Sequence, residues 1–111
     1  MSQLPDMQLQ NEFQRLASLL EQMLSLLQEA EDTFWTAYLQ RGLNKVKKSE
    51  LAGATFILGC YNGQDTFSDL VIGQQWQDSD PVRFRNLNAR LGQLRTEIFE
   101  SAGRIASRKL W

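Results

Sequence analysis

The chain has 111 residues, of which 42% are hydrophobic and 23% are charged, and its formal net charge is −1. This composition predicts one folded domain over residues 1–111 and excludes a disordered chain. The chain contains no histidine, which excludes Ser-His and Cys-His catalysis as well as histidine-containing zinc sites.

The first helix is predicted by seven apolar residues whose spacing alternates between four and three positions, which places them on one stripe. They are Leu9, Phe13, Leu16, Leu20, Met23, Leu27 and Ala30. Leu19, Leu24 and Leu26 widen the stripe, so we expect this helix to contact more than one neighbour. Ser2 and Asp6 are the candidate caps. The three heptads also permit a coiled-coil homodimer, but the wide apolar face favours packing within the chain.

A second helix is predicted to begin near Asp32, which is a favoured N-cap residue. Its inner face contains Trp35, Leu39, Leu43 and Val46. Because no glycine or proline separates it from the first helix, one continuous long helix is an alternative.

The third helix is predicted to begin at a Ser49 cap and to run through Tyr61. One face consists of Leu51, Ala54, Thr55 and Leu58. Phe56 and Ile57 make the helix apolar nearly all round, which is typical of a central, buried helix. Gly53 and Gly59 each weaken it by about 1 kcal/mol relative to alanine, so we expect another helix to approach closely there. Asn62-Gly63 is the expected stop.

Residues 64–80 have no clear helical period, which predicts an irregular loop. Either one short turn places Phe67, Leu70 and Ile72 in the core, or Phe67 to Ile72 forms a short strand. Asp80-Pro81 predicts the start of the last helix, because aspartate favours the cap and proline the first helical position. The apolar face of this helix consists of Phe84, Leu87, Leu91, Leu94, Ile98, Ala102 and Ile105. The expected fold is all-α, a compact bundle of about four helices with an irregular loop between helices three and four.

The two ends of the chain differ in charge. Residues 1–33 contain six acidic residues and one basic residue, whereas residues 81–111 contain seven basic and two acidic residues. We expect the acidic first helix to lie beside the basic last helix. The alternative is a nucleic-acid-binding module in which Arg83, Arg85 and Arg90 contact phosphates, but no recognised nucleic-acid motif accompanies these arginines.

The predicted cellular location is the cytoplasm. Cys60 is the only cysteine, so no disulfide forms within the chain, and we expect it to be a small buried side chain rather than a nucleophile. The sequence has no apolar run of about eighteen residues for a membrane span, and residues 1–10 lack the layout of a signal peptide. We expect no cofactor and no metal site.

The run YNGQDTFSDLVI, residues 61–72, resembles the signature of a family of small, uncharacterised bacterial helical proteins. In that signature an aromatic residue precedes a glycine-rich turn, a serine or threonine, an apolar residue, and then Asp-Leu and aliphatic residues. The matching positions are Tyr61, Gly63, Thr66, Phe67, Asp69, Leu70, Val71 and Ile72, with Trp35, Leu39, Gly53, Ile57 and Leu58 upstream. Asn62 and Asp65 stand where glycine is expected. The resemblance covers about residues 30–75 and implies a helical fold; some proteins of this type resemble immunity partners of bacterial toxins.

The predicted function is non-enzymatic protein binding, most concretely by an immunity-type protein that occludes the active site of a cognate toxin. The candidate contact residues are Asp65, Asp69, Asp78 and Asp80, which form an acidic loop for a basic partner, and Trp76, an aromatic anchor. The structural alternatives are that Asp69 caps its own turn and that Trp76 covers the core. A carboxylate-metal enzyme is the third hypothesis, and a homodimer through the first helix or Trp111 is left open.

Overall fold

Four α-helices and two one-turn 3-10 helices make up the structure, a computed structural model that describes residues 4–61 and 66–107 and the side chains of residues 7–61 and 66–107. The α-helices are α1 (Leu4–Glu29), α2 (Thr33–Lys47), α3 (Leu51–Gly59) and α4 (Pro81–Ser107), and the 3-10 helices are Phe67–Asp69 and Gln74–Trp76. The all-α prediction is confirmed. The predicted count of about four is short by the two 3-10 helices. The strand alternative for Phe67 to Ile72 is wrong, since the described residues contain no strand.

The four α-helices are arranged around a square. The helix α1 packs against α2 and α4, and α3 packs against the same two helices from the opposite side. Ion-pair and hydrogen-bond partners show that α1 and α4 are antiparallel, because Glu29 lies near Arg83 and Glu12 near Arg104. The short α3 fills only part of its side, and residues 66–76 continue that side between α2 and α4.

The apolar stripe of α1 lies in the core of the bundle, as predicted. Its residues from Phe13 to Ala30 are buried, and Leu9 is half-buried. Leu19, Leu24 and Leu26 are buried as well, because α1 contacts two helices rather than one. The apolar stripe of α1 therefore packs against other helices of the same chain. The helix α1 begins at Leu4, and both candidate caps, Ser2 and the side chain of Asp6, lie outside the part of the chain that the structure describes.

The chain breaks between α1 and α2 at a Schellman motif. The amide of Asp32 donates to the carbonyl of Leu27 (2.9 Å) and that of Glu31 to Gln28 (3.0 Å), while Glu31 has a φ of 62°. The Asp32 carboxylate then accepts from the amide of Trp35 at 2.9 Å. The predicted Asp32 cap is confirmed and the continuous-helix alternative is wrong.

A second Schellman motif ends α2, and it shows that the predicted role of Ser49 as the cap of α3 is wrong. This residue has a φ of 56°, its amide donates to Val46 (2.9 Å), and the amide of Glu50 donates to Lys45 (3.1 Å). Ser49 is thus the left-handed residue after α2, and Glu50 occupies the N-cap position of α3 without a side-chain cap bond.

The helix α3 lies at the surface, and its predicted central position is wrong. Gly53, Ala54 and Ile57 are buried, whereas Leu51 and Thr55 are exposed and Leu58 is half-buried. The buried face is therefore rotated relative to the predicted one, because α2 and α4 are the described helices that pack against α3. It ends at Gly59 rather than Tyr61, and Asn62-Gly63 lies outside the described residues.

The expected close approach occurs at one of the two α3 glycines. A Cβ built on Gly53 would lie 3.0 Å from both the backbone nitrogen of Val46 and the Cβ of Lys45. At Gly59 the nearest atom would be the Tyr38 hydroxyl at 4.0 Å, so the expectation is wrong there.

The predicted start and apolar face of α4 are confirmed. Asp80 accepts from the amide of Arg83 at 3.2 Å, and Pro81 is the first helical residue. Six of the seven predicted face residues are buried, while Phe84 is half-buried. Leu110 and Trp111 lie outside the described residues.

Charge pairing joins α1 to α4, as expected from the opposite charges of the two ends. The Glu12 carboxylate, only 13% exposed, accepts from the Ser101 hydroxyl at 2.6 Å and from Arg104 at 3.1 Å. Burial acts to raise the pKa of Glu12, but the hydrogen bonds from Arg104 and Ser101 lower it below 4.5.

Candidate partner-binding surface

Side chains of α4 hold the backbone of residues 66–80, which we call the 66–80 segment. The Arg95 guanidinium donates to the carbonyls of Phe67 (3.0 Å) and Leu70 (3.1 Å). The Asn88 amide donates to the Ile72 carbonyl at 2.8 Å and accepts from the Ile72 amide at 2.9 Å. Asn88 thus pairs with the backbone of Ile72 as the backbone of a neighbouring β-strand would. Side chains of α4 therefore fix the path of the 66–80 segment.

Further contacts fix both ends of this path. The Phe67 amide donates to the Cys60 carbonyl at 3.0 Å, and the Gln75 side chain donates to the carbonyl of Ala30 at 3.1 Å. Between them the chain turns at Gly73, whose φ is 70° and where a Cβ would lie 2.8 Å from the Leu87 side chain. Both the positive φ and the lack of room for a Cβ atom require glycine there.

An aromatic cluster lies beneath the 66–80 segment. Phe67 is fully buried, and its ring centroid is 5.1 Å from that of Trp35 and 5.5 Å from that of Tyr61. The hydroxyl of Tyr61 donates to the Arg95 carbonyl at 2.7 Å, so its polar atom is satisfied inside the fold. Tyr61 and Phe67 therefore contribute to the packing of the fold, and Ile72, 3% exposed, is buried as expected.

The predicted acidic residues that the structure describes all face solvent. Asp69, Asp78 and Asp80 are exposed, and Asp65 lies outside the described residues. Asp80 caps α4, whereas the carboxylates of Asp69 and Asp78 accept no hydrogen bond from the described residues. The expected capping of its own turn by Asp69 is therefore wrong.

These acids form an extended edge rather than a cluster. Asp69 lies two residues after Phe67, whose carbonyl accepts a hydrogen bond from Arg95, whereas Asp80 directly precedes Pro81 at the start of α4. Fourteen helical residues separate those levels, which is about 21 Å along the helix axis. Among the described residues, no three cysteine, aspartate or glutamate side chains are placed to hold a metal ion together.

Trp76 is half-buried and packs against the core. The guanidinium carbon of Arg83 lies 3.7 Å from its ring centroid, and the same guanidinium lies 3.8 Å from the Glu29 carboxylate. One ring face is therefore covered within the chain, which favours a covering role for Trp76 over that of a free anchor.

Most of the basic residues of α4 contact other parts of the chain. Arg83 lies over Trp76, Arg90 donates to Gln22 of α1, and Arg95 and Arg104 are bonded as described above. Arg85 is exposed, and Arg108 and Lys109 lie outside the described residues. The nucleic-acid alternative stays a prediction, and these contacts do not favour it.

The thiol of Cys60 is buried, as predicted. Burial raises its pKa to about 12, which keeps the side chain in the protonated, unreactive form at neutral pH.

Sequence reasoning missed Asn88 and Arg95, although both are half-buried polar residues beside the apolar face of α4. Their spacing from Leu91 and Leu94 could have indicated that they lie beside the buried face of α4. Their hydrogen-bond acceptors could not be predicted, because these lie 16 to 28 residues away in sequence.

No protein-family model, curated protein or solved structure matches this chain. Within residues 4–61 and 66–107, no helix has the length and apolar character needed to cross a bilayer.

Proposed function

We propose that this chain is a non-enzymatic protein-binding protein whose contact surface is the 66–80 segment. The observation that carries the proposal is the combination of a fixed backbone with exposed carboxylates. Asn88 and Arg95 set the path, while Asp69 and Asp78 point to solvent and accept no hydrogen bond from the described residues. The segment contains no basic residue. A preordered loop loses little conformational entropy on binding.

The partner we propose is a protein with a basic surface, most concretely a bacterial toxin that the chain neutralises as a cytoplasmic immunity protein. Opposite charges accelerate encounter and select the partner. Neutralisation would then follow from blocked access to the toxin's active site rather than from a chemical step. The resemblance of residues 61–72 to a family with immunity-type members supports this choice.

The test compares capture of proteins from the native lysate by three baits. One bait is the wild-type chain, and the second carries Asp69→Lys, Asp78→Lys and Asp80→Asn, in which asparagine preserves the α4 cap. The matched control carries Glu31→Lys, Glu50→Lys and Glu100→Gln, which changes the net charge equally at exposed residues elsewhere.

We expect a protein that wild type and control capture and the segment variant does not. The purified partner should then bind the segment variant at least about tenfold more weakly by calorimetry, and its toxicity on expression should be suppressed by the wild-type chain. Equal capture by all three baits would refute the role of the segment. A partner that is harmless when expressed would refute the immunity function while leaving the binding surface intact.

A further inference from the structure

The outer surface of α3 is uncharged although it faces solvent. No charged residue occurs between Glu50 and Asp65, yet Ala52, Thr55 and Gly59 are exposed and Leu51 retains 39% of its accessible surface. A helix that is apolar all round normally lies in an interior. Its place at the edge of this bundle indicates that another surface covers it.

The neighbouring strip of α4 has the same character. Phe99 is 49% exposed, and its ring centroid lies 5.0 Å from that of Tyr61, which places it beside the end of α3. Thr96 and Gly103 lie one turn before and one turn after Phe99 on the same side of α4. A Cβ at Gly103 would meet no atom of the described residues within 4 Å, so residues 4–61 and 66–107 leave this strip open. Together these residues form the α3–α4 face, consisting of Leu51, Ala52, Thr55, Thr96, Phe99 and Gly103.

We propose that the α3–α4 face binds a second copy of this chain in a two-fold symmetric dimer. In such a dimer the same patch meets itself, and a patch without charges does so with no like-charge repulsion and no buried unpaired ion. The inference is independent of the 66–80 segment and its proposed partner.

The charges that border the face are complementary in this arrangement. Arg41 lies on the α2 side, 5.7 Å from the Tyr38 ring centroid and 6.0 Å from that of Phe56, and Glu100 is exposed on α4. A two-fold axis parallel to α3 sets α2 of one copy opposite α4 of the other. The border with Arg41 in each copy then faces the border with Glu100 in the other copy, so the dimer contains two such pairings of opposite charge.

The size of the face predicts a weak dimer. The nine residues of α3 span about 14 Å, and two helices of about 10 Å diameter packed side by side are about 20 Å wide, so the patch covers about 300 Å² in plan. Stable complexes bury about 800 Å² per partner. The dimer should therefore form at micromolar to millimolar rather than nanomolar chain concentrations.

Sedimentation equilibrium of the full chain from about 10 μM to about 1 mM tests this inference. Ala52→Lys places a charged side chain at an exposed position within the face, and Ala37→Lys makes the same change at an exposed position of α2, beside Gln28 of α1 and away from α3. Circular dichroism melts establish that both variants fold.

We expect wild type and Ala37→Lys to dimerise with the same dissociation constant and Ala52→Lys to raise it at least tenfold. A wild-type chain that stays monomeric throughout the range would overturn the proposal. A dimer that Ala52→Lys leaves unchanged, or that both variants weaken equally, would also overturn it, because the contact would then lie on another surface.

Discussion

Replacing Gly53 by alanine tests the close approach of α3 to α2. An added Cβ would lie 3.0 Å from the Val46 backbone nitrogen and 3.1 Å from the Val46 Cγ2. The backbone nitrogen is held within α2 and cannot move aside as the end of a side chain would. Overpacking of this kind costs about 1–3 kcal/mol, while alanine favours the helix over glycine by about 1 kcal/mol. We therefore expect Gly53→Ala to lower the free energy of unfolding by about 1 kcal/mol, the centre of a net range of about 0–2 kcal/mol.

Gly59→Ala is the matched control in the same helix. Its nearest atom would be 4.0 Å away, so only the gain in helix propensity remains, about 0.5–1 kcal/mol at a helix end. The two variants should differ by about 2 kcal/mol, which urea denaturation followed by circular dichroism resolves. If Gly53→Ala stabilised the chain as much as Gly59→Ala does, α3 would not approach α2 as described.

Three further predictions follow from local geometry. Glu31→Gly and Ser49→Gly should each raise the free energy of unfolding by about 0.5–1 kcal/mol, because glycine adopts positive φ without strain; lower urea midpoints would contradict the Schellman assignment. The hydrogen bonds from α4 lower the pKa of Glu12 in the fold despite its burial, so its contribution is present above about pH 4.5 and is lost as the pH falls through the lower folded-state pKa. Thermal melts of Glu12→Gln should show a smaller decrease in Tm below about pH 4.5 than wild type, and an equal decrease would refute this. The raised pKa of Cys60 predicts that iodoacetamide labels the folded chain far more slowly than the chain in urea, and equal rates would contradict its burial.

The long helices could be predicted from the sequence because their signals are local. The stripe of α1 repeats over nearly the whole helix, and Asp32 and Asp80-Pro81 cap residues only three positions away. Ser49 misled the prediction because serine is common at N-caps, whereas here its positive φ serves the end of the preceding helix.

The position of α3 and the surface of the 66–80 segment could not be predicted in this way. Apolar residues all round α3 predicted a buried helix, whereas Leu51, Ala52 and Thr55 are exposed in the fold. The segment has no periodic pattern, and its course depends on Asn88 and Arg95, which are distant in sequence. Asp69 and Asp78 are exposed because the backbone of the segment follows this path. The sequence therefore indicated that the segment is acidic, but not where its carboxylates lie on the surface.

The external support of residues 66–80 makes the chain suitable for engineering. Because Asn88 and Arg95 bind main-chain atoms of Phe67, Leu70 and Ile72, those bonds do not depend on which side chains point outward between them. Asp69 and Val71 are such outward positions. Randomising these two sites would yield a display library on a helical scaffold, in which new specificities could be selected without redesigning the framework.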